Sequence, residues 1–139
     1  MAQLPRFLTV IFFAFLLGVG LWSYKDYGVS ADEATQRAIG ETSLDYVNRV
    51  IPLPFLEPPA AMNGPPEKIF EAQRDRAYGV AFELPAEYLI QAFRIKDAQV
   101  FNFRHLLNFL LFYTAVYFFY RLLCIRYQNR VIALIGAAT

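Results

Sequence analysis

Two uncharged apolar stretches decide how this chain folds. The first is FLTVIFFAFLLGVGLWSY at residues 7–24, and the second is HLLNFLLFYTAVYFFY at residues 105–120. Eighteen helical residues extend about 27 Å, which is close to the thickness of the hydrocarbon core of a bilayer. Residues 122–125 continue the second stretch past Arg121, whose long side chain can reach the interface. We therefore predict two transmembrane helices.

The ends of the first stretch carry residues that are typical of a membrane interface. Arg6 and Lys25 enclose it, and Trp22 and Tyr24 stand near its end, where aromatic anchors are common. A buried core helix is the alternative for each stretch, although two such helices would dominate so short a chain. A cleaved signal peptide is a second alternative for the first stretch, with the small-residue pattern VSA at 29–31.

The composition excludes several classes of protein. Apolar residues make up 57 % of the 139 residues and charged residues 18 %, against about half and a quarter in globular chains. A disulfide scaffold is excluded because Cys124 is the only cysteine. A net charge of +1 without a basic cluster predicts no nucleic-acid partner. Only His105 is available for a histidine-based metal site.

The distribution of charge predicts the topology. All acidic residues lie between Asp26 and Asp97. Arginines precede the first predicted span and follow the second, and positively charged flanks are retained in the cytoplasm. We therefore expect a multi-pass protein whose N-terminus is cytoplasmic and whose residues 25–104 are extracytoplasmic. The arginines concerned are Arg6, Arg121, Arg126 and Arg130.

A proline-rich stretch divides the predicted outer segment. Six of the eight prolines fall within residues 52–66, PLPFLEPPAAMNGPP, which excludes a continuous helix there. A helical half is predicted to begin near Glu67, to break at Gly79 and to resume around Pro85, which suits the first turn of a helix. The apolar positions predicted for the resumed helix are Leu84, Tyr88, Leu89, Ala92 and Phe93.

The other helical half of the outer segment is predicted at residues 31–51, with a break at Gly40 left open. Ser30 would cap it, and Glu33 three residues later would complete a capping box. The predicted apolar stripe consists of Ala34, Ala38, Leu44, Val47 and Ile51.

The last residues, VIALIGAAT at 131–139, form an apolar run too short to cross a bilayer. We expect this run to begin a third span in the N-terminal piece of a longer polytopic protein; a short amphiphilic tail is the alternative. The predicted fold is an all-α membrane protein in which two transmembrane helices flank a helical extracytoplasmic loop. The predicted segments are residues 1–24, the cytoplasmic N-terminus and first span; 25–104, the loop; 105–127, the second span; and 128–139, a cytoplasmic turn and the start of the third.

Two residue pairs are candidates for chemistry. Asp32 and Glu33 follow the first span, where a carboxylate faces water near the lipid surface and could act as a general base on a lipid-linked substrate. The alternative is that they only favour the first turn of a helix. Arg104 and His105 open the second span and could bind a lipid phosphate. A plain interfacial anchor is the alternative for that pair.

Three short motifs resemble a known family. They are YGVSADE at 27–33, YGVAFEL at 78–84 and RHLLNF at 104–109. Together with the order of spans and loop, they resemble the N-terminal part of bacterial integral-membrane glycosyltransferases of the GT-C superfold. These enzymes are relatives of the dolichyl-phosphate-mannose–protein mannosyltransferases and the lipid A aminoarabinose transferases. Ala31 stands where that family usually has an aromatic residue.

The resemblance implies an enzyme of the bacterial inner membrane that moves a sugar from a polyprenyl-phosphate donor to an extracytoplasmic acceptor. Asp32 would deprotonate the acceptor hydroxyl, and Glu33 would position the acceptor or hold a divalent metal ion, whose involvement stays open. Arg104 and His105 would contact the donor phosphate. This chain would not be active alone. The rival hypothesis is a non-enzymatic two-span membrane protein whose outer helical segment binds a partner protein.

Overall fold

The computed structural model describes residues 3–60, 65–70 and 79–139. Within these residues the chain forms five α-helices and two short 3₁₀ helices, without a β-strand, which confirms the all-helical prediction. Two of the helices are long and apolar enough to cross a membrane. The α-helices are α1 (Gln3–Ser23), α2 (Glu33–Val50), α3 (Glu83–Ala92), α4 (Val100–Tyr127) and α5 (Arg130–Ala138), and the 3₁₀ helices are Pro66–Phe70 and Asp97–Gln99.

The chain divides into two compact units. The terminal unit comprises the described residues up to Tyr27 and those from Arg104 onward, and the central unit comprises those between Gly28 and Phe103. Residues 61–64 of the proline-rich stretch lie outside the described residues. The same holds for most of the helix predicted from Glu67 to Gly79, and for Tyr78 of the second motif.

Aromatic side chains hold the terminal unit together. The Phe13 ring of α1 meets three tyrosine rings of α4 edge to face, and Phe13, Tyr120 and Ala133 of α5 form its buried centre. Such ring pairs contribute about 0.5–1.5 kcal/mol each beyond the area they bury. The centroid distances from Phe13 are 5.8 Å to Tyr113, 5.7 Å to Tyr117 and 5.5 Å to Tyr120.

The outer faces of α1 and α4 remain apolar and uncovered. Only 11 % of the apolar window of α1 and 6 % of that of α4 is buried. Trp22 is 83 % exposed and Phe118 is 64 % exposed. A core helix of a soluble domain would bury such side chains. No other described residue covers the apolar outer faces of α1 and α4. Helices that contact lipid or further helices have such faces.

A tight turn joins α4 to α5. Gln128 adopts a left-handed conformation with φ of 51°, which reverses the chain immediately after α4. Asn129 then caps α5, because its side-chain oxygen accepts from the backbone N–H groups of Val131 at 2.9 Å and Ile132 at 3.3 Å. This cap satisfies two of the backbone donors that are unpaired at a helix start.

The central unit is built on close contact between α2 and α3. A Cβ atom at Gly40 would lie 2.8 Å from the Glu83 carbonyl oxygen, so only glycine allows this approach. α2 runs through Gly40 without a break, which answers the question that the sequence left open. Both helices contribute to the buried apolar core of the unit, which consists of Ile39, Leu44, Ala86, Ile90 and Val100.

The buried face of α2 differs from the predicted apolar stripe. Ala34, Ala38 and Ile51 are exposed, because α3 packs on the face that contains Gly40. Phe93, predicted as an apolar position of the second helix, lies just after α3 and is 63 % exposed. The buried positions of α3 include two carboxylates. The residues that α2 and α3 bury are Ile39, Gly40, Ser43, Leu44 and Asn48 in the first, and Glu83, Ala86, Glu87 and Ile90 in the second.

Two helix starts also differ from the prediction. The first helix of the outer segment begins at Glu33 rather than 31, and the Glu33 N–H donates to the Ser30 backbone carbonyl at 3.2 Å. The predicted capping box would have Ser30 at the N-cap position, which Asp32 occupies instead. The second long helix begins at Val100, ahead of the predicted His105. Pro85 lies in the first turn of α3, as predicted.

Candidate functional site

Asp32 and Glu33 stand together at the start of α2. Asp32 occupies the N-cap position with φ of −87° and ψ of −18°, and its exposed side chain makes no capping hydrogen bond. Glu33, the first helical residue, is half-buried. A carboxylate at this position is favoured by the helix dipole. Because Asp32 does not cap the helix, its carboxylate is open to a ligand from solvent.

Arg104 and His105 lie in the second turn of α4. Arg104 is only 3 % exposed, so its guanidinium is enclosed by protein. The His105 ring is half-buried and meets the Tyr27 ring edge to face, with centroids 5.8 Å apart. This pair belongs to the terminal unit, whereas Asp32 and Glu33 belong to the central unit.

A buried ion pair links α2 to α3. Glu87 is 2 % exposed, and its Oε2 lies 3.6 Å from Arg37 Nε. Arg37 Nε also lies 3.0 Å from Glu41, and its Nη2 lies 3.7 Å from the exposed Asp97. Gln91 donates to Glu87 Oε1 at 3.1 Å. A buried carboxylate is costly unless it is paired in this way, so the network fixes how the helices meet.

The proline-rich segment folds back onto α2 through side chains of that helix. The Asn48 amide donates to the Glu57 carbonyl at 3.0 Å, and its oxygen accepts from the Leu53 N–H at 2.9 Å. A pocket of about 260 Å³ lies beside these contacts. We call it the acidic pocket, because the described residues that line it include three carboxylates and no basic side chain. Its lining residues are Glu41, Leu44, Asp45, Asn48, Leu56, Glu57, Pro59 and Gln91.

A second pocket, of about 540 Å³, lies in the terminal unit. We call it the basic pocket, because α1, α4 and α5 each contribute one arginine to its wall. Two contacts shape it: Thr9 Oγ1 and the Tyr120 hydroxyl are hydrogen-bonded at 3.0 Å, and Arg121 Nη1 donates to the Tyr117 hydroxyl at 3.3 Å. Its lining residues are Arg6, Thr9, Val10, Tyr117, Tyr120, Arg121, Cys124, Ile125 and Arg130.

Sequence reasoning missed both pockets for different reasons. The sequence analysis used the arginines of the basic pocket only to predict topology. No pattern in the sequence indicates that Arg6, Arg121 and Arg130 line one pocket. The acidic pocket had no signal, since the turn that brings Glu57 to α2 lies among prolines. Within the described residues, no group of three histidine, cysteine, aspartate or glutamate side chains is arranged to hold a metal ion.

Comparison with protein-family models, with curated proteins and with solved structures finds no significant match to this chain. The likeness to the GT-C glycosyltransferases therefore depends on the three short motifs, of which YGVSADE contains the Asp32–Glu33 pair.

Proposed function

We propose that this chain carries the acceptor-activating loop of a membrane glycosyltransferase. The enzyme would take a sugar from a polyprenyl-phosphate donor and transfer it to an acceptor outside the cytoplasm. In this proposal α1 and α4 cross the bacterial inner membrane. The N-terminus is then cytoplasmic, and residues 25–104 are extracytoplasmic.

One observation supports this proposal best, and it concerns Asp32. Its carboxylate follows the first candidate span by a few residues, is exposed, and is not used as a helix cap. A general base must be open to the hydroxyl from which it takes a proton. A purely structural carboxylate at a helix start would be expected to accept from the backbone N–H groups of the first turn.

The proposed reaction follows from this position. Asp32 accepts the proton of the acceptor hydroxyl while the oxygen attacks the anomeric carbon of the sugar. The bond between that carbon and the donor phosphate oxygen breaks, and polyprenyl phosphate leaves with its electron pair. Attack from the face opposite the phosphate inverts the anomeric centre. Glu33 would hold the acceptor in place. Contact of Arg104 and His105 with the donor phosphate stays a prediction of the sequence, because protein encloses the Arg104 guanidinium.

The test compares carboxylate variants in the native host at equal membrane abundance. Asp32→Asn keeps the size of the side chain but removes the proton acceptor, so glycan transfer should fall by about 10²–10⁴. Glu33→Gln tests the neighbouring position. Asp26→Asn is the matched control, since Asp26 is also exposed after α1 but lies six residues before Asp32, away from the start of α2. Mass spectrometry of extracytoplasmic glycoconjugates gives the extent of transfer.

Three outcomes separate the hypotheses. Loss in Asp32→Asn with normal transfer in Asp26→Asn supports the proposal. Near-normal transfer in Asp32→Asn contradicts the assignment of the base, and loss only in Glu33→Gln moves that role to the next residue. If deletion of the whole gene changes no glycoconjugate, the non-enzymatic partner-binding protein is favoured instead.

A further inference from the structure

We propose that the basic pocket binds the phosphate headgroup of an anionic phospholipid. The pocket brings Arg6, Arg121 and Arg130 to one cavity, although they lie on three different helices and far apart in the sequence. Lipid binding at this pocket does not depend on the proposed glycosyl transfer, because every lining residue belongs to the terminal unit.

The described residues that line the basic pocket include no acidic side chain. The sequence contains no aspartate or glutamate at residues 1–25 or 98–139, so the segments that build the pocket supply no carboxylate. Among the described residues, the guanidinium groups of Arg6, Arg121 and Arg130 therefore share a cavity that no acidic side chain lines. A phosphate is a suitable ligand, because arginine presents paired donors that match its oxygens.

One tyrosine hydroxyl orients one of these arginines, and a second fixes part of the wall. The Tyr117 hydroxyl, four residues earlier along α4, accepts from Arg121 Nη1 at 3.3 Å. Tyr120, which is 5 % exposed, is fixed by its hydrogen bond to Thr9. The cavity wall is thus partly preorganised, which lowers the cost of ordering side chains when a ligand binds.

The position of the pocket favours a lipid over a free anion. It lies where α1 begins, α4 ends and α5 begins, which is one end of both candidate spans. Headgroups lie at that depth when such helices cross a bilayer. The same pocket is lined by Val10 and Ile125, which are 66 % and 75 % exposed. An acyl chain could follow these apolar side chains while the phosphate contacts the arginines.

The test measures lipid retention by the full chain, purified and placed in phosphatidylcholine nanodiscs. A small fraction of phosphatidylglycerol is added, and its enrichment around the protein is measured by native mass spectrometry. Arg121→Gln and Arg130→Gln each remove charge-assisted hydrogen bonds from a guanidinium to the phosphate, so each should weaken binding about tenfold. Arg121→Lys should retain more binding than Arg121→Gln.

Arg126→Gln is the matched control. Arg126 lies on the same helix near the same end and is exposed, but it does not line the pocket. Its replacement should change binding less than twofold. Tyr117→Phe keeps all charges but removes the hydroxyl that orients Arg121, so it should weaken binding about two- to threefold while helicity stays unchanged.

Two results would overturn the proposal. Equal loss in Arg126→Gln and Arg121→Gln would mean a general attraction of the basic end to anionic lipid. Displacement of phosphatidylglycerol by millimolar inorganic phosphate, without any preference for the lipid, would mean a soluble anion site. Selective loss in the pocket variants, together with resistance to inorganic phosphate, supports a lipid site.

Discussion

Gly40 of α2 lies directly against the backbone of Glu83 in α3, with room for a hydrogen atom but not for a methyl group. A Cβ atom there would be 2.8 Å from the Glu83 carbonyl oxygen and 3.1 Å from its carbonyl carbon. The obstacle is backbone, which cannot rotate away as a side-chain tip can. This contact sets the distance at which the two helices of the central unit pack.

Gly40→Ala should therefore destabilise the central unit. Alanine favours a helix over glycine by about 1 kcal/mol, but overpacking against backbone typically costs about 1–3 kcal/mol, so we expect a net loss. Thermal unfolding of the purified protein measures it by circular dichroism. Gly79→Ala is the control, because none of the described residues lies within 4 Å of a Cβ atom there. A Gly40→Ala protein as stable as the parent would contradict the close packing.

Glu87→Gln should weaken the link between α2 and α3. The substitution preserves the shape of the side chain but removes the negative charge that faces Arg37 inside the unit. Removing one partner of a fully buried ion pair costs about 3–5 kcal/mol. Arg37 is partly exposed and retains Glu41, so we expect a smaller loss of about 1–2 kcal/mol in unfolding free energy.

Asp97→Asn provides the comparison for Glu87→Gln. Asp97 also faces Arg37, but it is 96 % exposed, and exposed ion pairs contribute less than about 1 kcal/mol. Denaturant unfolding of both variants in the same detergent gives the two values. A loss in Asp97→Asn equal to that in Glu87→Gln would mean that burial of Glu87 does not strengthen the pair.

Asn129→Ala should loosen the start of α5. It removes the acceptor for the Val131 and Ile132 N–H groups, and loss of such a cap costs about 0.5–2 kcal/mol. Hydrogen exchange at Val131 and Ile132 should become faster. Asn129→Ser retains a capping oxygen and should preserve much of the protection. Unchanged exchange in Asn129→Ala would show that packing alone holds the helix end.

The apolar pattern carried much of the information about the helices. Residues 7–24 and 105–120 are uncharged stretches long enough to form apolar helices. In lipid a helix pairs all of its own backbone polar groups, so α1 and α4 could be predicted from these stretches alone. Pro85 was also informative, because proline fits the first turn of a helix. Gly40 was misleading, since the sequence does not distinguish a glycine that breaks a helix from one that permits another helix to approach.

The candidate site was predictable only in part. The sequence indicates Asp32 and Glu33 by their position after the first apolar stretch and by the YGVSADE motif, and their proposed role stays a prediction. The exposure of the Asp32 carboxylate depends on the residue at which α2 begins. The sequence predicted that start at residue 31, two residues before the observed Glu33. No feature of the sequence predicted that Arg104 is buried. A charged residue at the start of an apolar stretch is ordinarily expected at the membrane–water interface.

The sequence by itself determined the two long apolar helices, the proline-rich interruption and the acid-free termini, because each is a property of neighbouring residues or of composition. Tertiary structure alone decided which faces of α2 and α3 are buried, that Glu87 is paired with Arg37, and that Arg6, Arg121 and Arg130 line one pocket. These are contacts between residues distant in the chain, and helix packing selects them through shape and charge that no local pattern contains.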